Sequence, residues 1–451
     1  MAKRSNSIIF CCSSCGYIHP KWLGRCPECG SWNTLEEYIE SPSSISASNK
    51  ASSPSPKIKP VPLENIKTED RGRIFTGISE FDRVLGGGAA KRSAILIGGE
   101  PGIGKSTLLL QAAAKYAESS GAKTLYVSGE ESASQIKDRA ERLRLRAPTV
   151  EILCSTRLED ILSALDRTSP VFTIIDSIQT VNSLEAGAIP GTVNQLKYCA
   201  NELISWIKER DGVMIMTAHI TKEGSIAGPK SLEHMVDTVI SFEGINNEFR
   251  FLRAQKNRFG SVDELGILSM TEKGLEAARD PESMFITKRQ GEQPAGVATA
   301  AVFEGSRVFL VEIQALTVPA KAAITRVYSE KIDSARVSRI AAVLEKRLGI
   351  RFSDQDIYIN VAGGIRLSES AIDASLAAAL YSARTDIAVP ANTALCGELS
   401  LAGEIRPVNR LRQRIRAAQT LGYTKIYAPE KEEGAVVAAT VKDMVKALFE
   451  K

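Results

Sequence analysis

The stretch Gly99-Glu100-Pro101-Gly102-Ile103-Gly104-Lys105-Ser106 fits the pattern G-x4-G-K-[ST]. A short apolar run, SAILIG, precedes it, and a strong helix former, STLLLQAAAKYAESSG, follows and closes on Gly121. Strand, glycine loop and helix in that order build a phosphate cradle. The glycines let backbone N–H groups turn inward around phosphate oxygens. The helix points its positive end at the same anion. Lys105 is expected to reach the terminal phosphates and the Ser106 hydroxyl to ligate Mg²⁺, with Thr107 next to them. A chance glycine-rich turn would lack the flanking strand and helix.

Outward from this loop, TLYVS (124–128), VFTIID (171–176) and GVMIMTA (212–218) are apolar strand candidates. The segments SASQIKDRAERLRL and NQLKYCANELISWIKER, which have helical character, lie among them. Alternation of this kind predicts a parallel α/β sheet with its functional residues at the C-terminal ends of the strands. Asp176 closes its strand and suits a carboxylate that helps hold Mg²⁺. Glu130, just past TLYVS, is the best-placed base for activating water. Glu131 competes for that role, and either acid could instead serve the dipole of the next helix.

The whole chain has 451 residues, 43% apolar and 24% charged, with a net charge of +4. Those values suit a folded chain of two or three domains, and any nucleic-acid partner would have to meet a local basic surface. No apolar run approaches the roughly 18 residues of a membrane span, and MAKRSNSIIFCC lacks the apolar core of a signal peptide. A cytoplasmic protein without membrane association is expected. Of eight cysteines, four form two pairs, Cys12-x2-Cys15 and Cys26-x2-Cys29, each followed by a glycine, Gly16 or Gly30. Two thiol knuckles predict a closed four-thiolate Zn²⁺ site of structural type. Cys11 breaks the spacing, and His19 would be a fifth ligand to a complete set.

Residues 41–60 hold eight serines and four prolines and read as a linker. The predicted organisation is a zinc module over 1–34, a linker over 35–68, a nucleotide-binding core over 69–280 and a C-terminal α/β domain over 281–451. At the end of the core, RFLRAQKNRFG (250–260) predicts a strand and then an exposed basic turn carrying Lys256 and Arg258. Such a turn can meet the phosphates of a nucleotide or nucleic acid, or can be a solvated hairpin end. A second loop, TKEGSIAGPKS (221–231), offers Lys222 and Lys230 among small residues.

Taken in order, CCSSCGYIHPKWLGRCPECGSWNT, TGISEFDRVLGGG, GGEPGIGKSTLLLQ, YVSGEES, IIDSIQT, TAHITKEG and KNRFG resemble the RadA (Sms) family of bacterial DNA repair proteins over nearly the whole chain. The resemblance implies a RecA-like P-loop ATPase core between a four-cysteine zinc module and a C-terminal domain similar to that of Lon protease. It also implies a homohexameric ring that hydrolyses ATP with Mg²⁺ and drives branch migration as a helicase on single-stranded and branched DNA, alongside recombinase and replication or repair proteins. By position, Glu130 takes the place of the catalytic glutamate, Asp176 that of the Walker B acid and His219 that of a γ-phosphate sensor. Lys256 and Arg258 fall in KNRFG, where the family implies coupling across a subunit boundary or contact with DNA.

The Lon resemblance lies in LCGELSLAGEIRPVNRLRQRIRAAQTLGYTKIYAPE and SESAIDASLAAAL. The resemblance puts Asp373 at the serine position of the peptidase and Arg412 at its lysine position. Arginine stays protonated and cannot act as the base, and Ser375 lies roughly 200° around a helix from Asp373. A DNA-contacting surface built from Arg406, Arg410, Arg412, Arg414 and Arg416 is the expectation, with an ordinary solvated helix face as its alternative. Two other functions fit parts of the sequence: an ATP-dependent protease, opposed by Asp373 and Arg412, and a non-hydrolysing regulatory ATP binder.

Overall fold

The computed structural model describes residues 8–12, 18–19, 21–27, 30, 32–39, 62–65, 72–186, 192–219, 231–244, 248–279, 281, 284–287, 289, 292–320 and 325–450. Packing divides the chain into two compact units, residues 1–242 with 255–260 and residues 243–254 with 261–451.

The first unit opens with three short strands, β1 (Ile8–Cys12), β2 (Ile18–His19) and β3 (Leu35–Ile39), in an antiparallel sheet of order β2-β1-β3. The α/β core follows: β4 (Arg73–Ile74), α1 (Ser79–Val84), β5 (Ala89–Ala90), β6 (Ser93–Gly99), α2 (Lys105–Ser120), β7 (Thr124–Ser128), α3 (Ala133–Arg142), β8 (Val150–Cys154), α4 (Leu158–Thr168), β9 (Phe172–Asp176), α5 (Val193–Lys208), β10 (Val213–His219), α6 (Ser231–Met235) and β11 (Thr238–Gly244). Strands run in the order β11-β6-β10-β9-β7-β8, each neighbouring pair parallel. All residues of β6, β7 and β9 are buried, as strands covered on both faces require. Helix ends follow local chemistry. Gly121 terminates α2 in a left-handed conformation, and Ser132 with Gln135 forms a capping box on α3.

Register sets the site. His219 lies opposite Gly99, and Ser128 opposite Asp176. The C-terminal ends of β6, β7, β9 and β10 therefore finish along one edge of the sheet.

The second unit takes in most of β12 (Phe249–Asn257), which crosses the division and pairs antiparallel with β13 (Leu265–Thr271); β13 pairs in turn with β14 (Gly274–Ala277). Then come β15 (Val297–Glu304), β16 (Arg307–Pro319), β17 (Val327–Ser329), α7 (Ser334–Leu348), β18 (Gln355–Val361), α8 (Asp373–Thr385), β19 (Thr393–Leu395), β20 (Glu398–Leu399), β21 (Ile405–Arg406), α9 (Leu411–Thr420), β22 (Lys425–Ala428), β23 (Val436–Val437) and α10 (Val441–Phe449). The mixed sheet has the order β17-β18-β16-β15-β19-β22-β23. Phe251, Leu265 and Ile267 share one apolar cluster with Phe285, Phe309 and Val311. For that reason the packing division falls earlier in the chain than the boundary expected at residue 280. Among the described residues no helix is long and apolar enough to cross a membrane.

Phe309 is fully buried and meets Phe285 edge-to-face, with ring centroids 5.6 Å apart. Phe309→Ala is expected to destabilise the second unit by about 3–5 kcal/mol, read as a lowered denaturant midpoint followed by near-ultraviolet circular dichroism.

Candidate functional site

The glycine loop leads straight into α2, whose N-cap Gly104 sits at φ 113°, a conformation that favours glycine. No side chain caps the helix, and its first turn carries no acid, so its leading N–H groups keep their capacity for an anion. Lys105 is the first helical residue and is buried. Its ammonium donates to Gly99 O at 2.7 Å and to Glu100 O at 2.9 Å, and approaches His219 Nδ1 at 3.4 Å. Burial lowers the Lys105 pKa, opposed by the charges of Asp176 and Glu130.

Asp176 ends β9 with both carboxylate oxygens engaged. Thr217 Oγ1 donates to Oδ1 at 2.7 Å and the Tyr126 hydroxyl to Oδ2 at 2.6 Å. Burial, with Asp176 adding to it, pushes the Tyr126 pKa well above its ordinary value, so this hydroxyl remains a donor.

The two candidate bases are distinguished by their partners. Arg139 grips the Glu131 carboxylate with both guanidinium nitrogens, and the Glu131 backbone closes a turn on Ser128 Oγ. Glu130 Oε1 instead accepts from Ser177 Oγ at 2.7 Å and lies 3.3 Å from His219 Nε2. An ammonium can only donate, so His219 Nδ1 accepts from Lys105, and Nε2 carries the proton that goes to Glu130. The His219 N–H is held at 3.0 Å by Gln179 Oε1. Lys105, His219, Glu130 and Ser177 thus form one hydrogen-bonded row across the strand ends.

The basic turn differs from its expected form. Lys256 is half-buried, and its ammonium closes α6 by donating to Glu233 O at 2.8 Å, His234 O at 3.3 Å and Val236 O at 2.8 Å. Burial, and then the Arg258 charge, lower its pKa. Asn257 Oδ1 accepts from Phe259 N at 3.0 Å, and Arg73 donates to Phe259 O at 2.6 Å. A Cβ on Gly260 would come within 3.1 Å of Gly86 Cα. Only Arg258 keeps a largely exposed side chain, 3.6 Å from Asp237. Asp237 is itself buried, takes Lys208 Nζ at 2.6 Å on each oxygen, and accepts from Ala94 N, in β6, at 3.0 Å. Lys222 and Lys230 lie outside the described residues.

Of the four thiols, Cys12 and Cys26 are described, whereas Cys15 and Cys29 lie outside the described residues. Cys12 and Cys26 are both buried in one small cluster with Leu35. Gly30 N donates to Cys26 O at 2.9 Å, with Gly30 at φ 74°, which is the turn a thiol knuckle needs. Among the described residues no group of three or more potential ligands assembles. The buried pair and its turn fit half of a four-thiolate site.

In the second unit Asp373 and Arg412 have separate surroundings. Asp373 opens α8, fully buried, with Arg339 at 3.6 Å and Arg336 at 3.8 Å, and burial raises its pKa to about 6. Arg412 is exposed on α9 and pairs with Glu432 at 2.9 Å. Ser375 is buried and donates to Thr299 O and Leu395 O. The expected arginine surface loses one member: Arg414 is buried, bonded to Glu369 and to Ala301 O. Arg406, Arg410, Arg412 and Arg416 remain exposed.

Comparison with known proteins follows this geometry. Residues 74–151 match the ATPase family model described as KaiC, residues 10–37 a rubredoxin metal binding domain, and residues 311–432 subunit ChlI of Mg-chelatase. The chain is similar to the DNA repair protein RadA of Treponema pallidum (strain Nichols), 62% identical over 430 residues, covering 95% of this chain and 93% of that one. It is also similar to the DNA repair protein RadA of Bacillus subtilis (strain 168), 45% identical with the same two coverages, 95% and 93%. The chain belongs to the RadA family of DNA repair proteins. As in the family's expected architecture, a RecA-like ATPase core stands between a zinc ribbon and a Lon-like C-terminal domain.

Several residues of this RadA-family site carry no functional signal of their own, although Tyr126, Ser177, Gln179 and Thr217 fall inside the stretches YVSGEES, IIDSIQT and TAHITKEG that carry the resemblance. Tyr126 and Thr217 sit inside apolar runs and read as core, and Ser177 and Gln179 read as turn residues. The one signal for Asp237 is a carboxylate in the otherwise apolar junction MVDTVIS.

The purified protein is expected to carry one Zn²⁺ per chain by elemental analysis. Cys12→Ser or Cys26→Ser should lose the metal while the cooperative unfolding of the core persists.

Proposed function

We propose that the protein is a DNA-dependent ATPase of recombinational repair, working as a homohexameric ring that drives branch migration on single-stranded and branched DNA. The observation that carries this reading is the row Lys105–His219–Glu130–Ser177 at the ends of parallel strands, directly beside an uncapped glycine-loop helix. It joins a phosphate-seeking cation to a carboxylate through one imidazole.

In this reading the backbone N–H groups of residues 99–107, Pro101 excepted because it has none, and the Lys105 ammonium bind the triphosphate of ATP. Ser106 and Asp176 are the residues that would hold Mg²⁺, which would supply positive charge to offset that of the triphosphate. Glu130 accepts the proton of the attacking water. Lys105 exchanges its bonds to Gly99 O and Glu100 O for phosphate oxygens, and His219 loses that partner. His219 directly precedes residues 220–230, so the state of the phosphate reaches the loop carrying Lys222 and Lys230. Within KNRFG the division of labour follows the observed partners. Lys256 holds the segment after that loop, and Arg258 is the cation offered to a neighbour's nucleotide or to DNA.

The C-terminal unit is proposed to be without peptidase activity. Asp373 is buried against two arginines, Arg412 is paired elsewhere, and Ser375 serves the core. A role in contacting DNA through Arg406, Arg410, Arg412 and Arg416 agrees with their exposure.

Phosphate release should rise with single-stranded DNA, fall steeply with salt and vanish in Lys105→Ala; absence of turnover in the intact protein would favour a regulatory ATP binder instead. Lys256→Ala is expected to lose the DNA-stimulated part of turnover while fluorescent-ATP binding survives, and to lower stability by about 1–3 kcal/mol because carbonyls at the end of α6 lose their donor. Ring formation is checked by electron microscopy, and casein digestion that persists in Lys105→Ala would contradict a silent peptidase unit.

A further inference from the structure

We propose that Ser177 is a positioning residue that fixes the carboxylate of Glu130, so that one oxygen is anchored and the other is presented to water. The inference rests on the reading of Glu130 as the group that accepts the proton of water.

Four observations support it. Ser177 is 1% exposed, and its hydroxyl donates to Glu130 Oε1 at 2.7 Å, the shorter of that oxygen's two bonds. The other, from His219 Nε2, is 3.3 Å long and comes from a ring that also meets Lys105. Both bonds end on Oε1, so Oε2 is engaged by neither, and the Glu130 side chain is 41% exposed. The backbone behind Ser177 is tied down: Thr180 donates to Ser177 O from Oγ1 at 2.8 Å and from N at 3.3 Å, and Gly129 N donates to Asp176 O at 2.9 Å.

The two anchors therefore differ in kind. His219 shares its partner with Lys105, and its bond depends on where that ammonium sits. Ser177 follows directly on a fully buried strand and keeps its place whatever Lys105 does. A carboxylate held at one oxygen by a hydroxyl has restricted rotation. That serves a general base, which needs one free oxygen and a fixed direction. The other charged or titratable groups of the site are Lys105 at the start of α2, His219 at the end of β10, Asp176 at the end of β9, and the ion pair of Glu131 with Arg139 from α3.

The test uses the full chain with saturating Mg-ATP and single-stranded DNA, following phosphate release, with fluorescent-ATP binding as a separate readout. Ser177→Ala should lower kcat about tenfold, the scale of one lost hydrogen bond to a charged group, and leave ATP binding and KM for ATP in place. Ser177→Thr, which keeps the hydroxyl, should restore most of kcat. Added to Glu130→Gln, Ser177→Ala should cost nothing further. The proposal is overturned if Ser177→Ala leaves kcat unchanged, if Ser177→Thr is as slow as Ser177→Ala, if Ser177→Ala abolishes ATP binding, or if its effect adds in full to that of Glu130→Gln. Undiminished turnover in Glu130→Gln alone would instead locate the failure in the assignment of Glu130 and take this inference down with it.

Discussion

A buried ammonium must place its hydrogens on acceptors, and in this protein those acceptors are the carbonyls of Gly99 and Glu100 and the ring of His219. Desolvation weakens the hold of Lys105 on its proton, and two carboxylates, Asp176 and Glu130, offset part of that cost. Neither acid pairs with it directly. The cation sits among partners that are adequate but neutral, next to a helix end that lacks a side-chain cap. Phosphate oxygens would satisfy both the ammonium and the helix N–H groups better than the loop carbonyls do. The rest of the site is arranged around that imbalance, with His219 lying between the lysine and Glu130.

Asp237 gathers a second set of interactions in the same unit. It is buried, it holds Lys208 and the Ala94 amide, and Arg258 approaches it from the exposed side. Ala94 is the second residue of β6, the strand that ends in the phosphate loop. Lys256, two residues before Arg258, closes α6. The KNRFG segment is thus built into the frame of the nucleotide unit through hydrogen bonds made by most of its residues. A motif that looks like an exposed basic tip is largely a scaffold with one exposed cation.

The second unit shows the opposite use of charge. Asp373 and Arg414, which lie in its peptidase-like stretches, are buried; Asp373 in α8 pairs with Arg336 and Arg339 of α7, and Arg414 in α9 pairs with Glu369 and donates to Ala301 O in β15. Buried pairs of this kind are costly to break and contribute to a unique packing more than to chemistry. Ser375, the hydroxyl nearest in sequence to Asp373, is spent on two backbone carbonyls.

The sequence alone determined the order of modules, the phosphate loop, the thiol pairs and the acids at the strand ends, because each is a local pattern whose chemistry depends on near neighbours in the chain. Lys105, Asp176 and Glu130 could be named that way, and His219 through the family resemblance. What the structure adds is a partner that sets Glu131 apart from Glu130: Arg139, eight residues further along, grips Glu131. The roles of Tyr126, Thr217 and Asp237 were not legible, since a polar residue in an apolar run reads as core until the fold sets it beside a carboxylate or an amide from a distant segment; Ser177, just past a strand end, reads as a turn residue for the same reason. Register also decided that residues 99, 128, 176 and 219 share one edge of the sheet. These partners lie up to more than a hundred residues apart in the chain, and only the pairing of parallel strands, fixed by burial on both faces, brings them within a hydrogen bond's length.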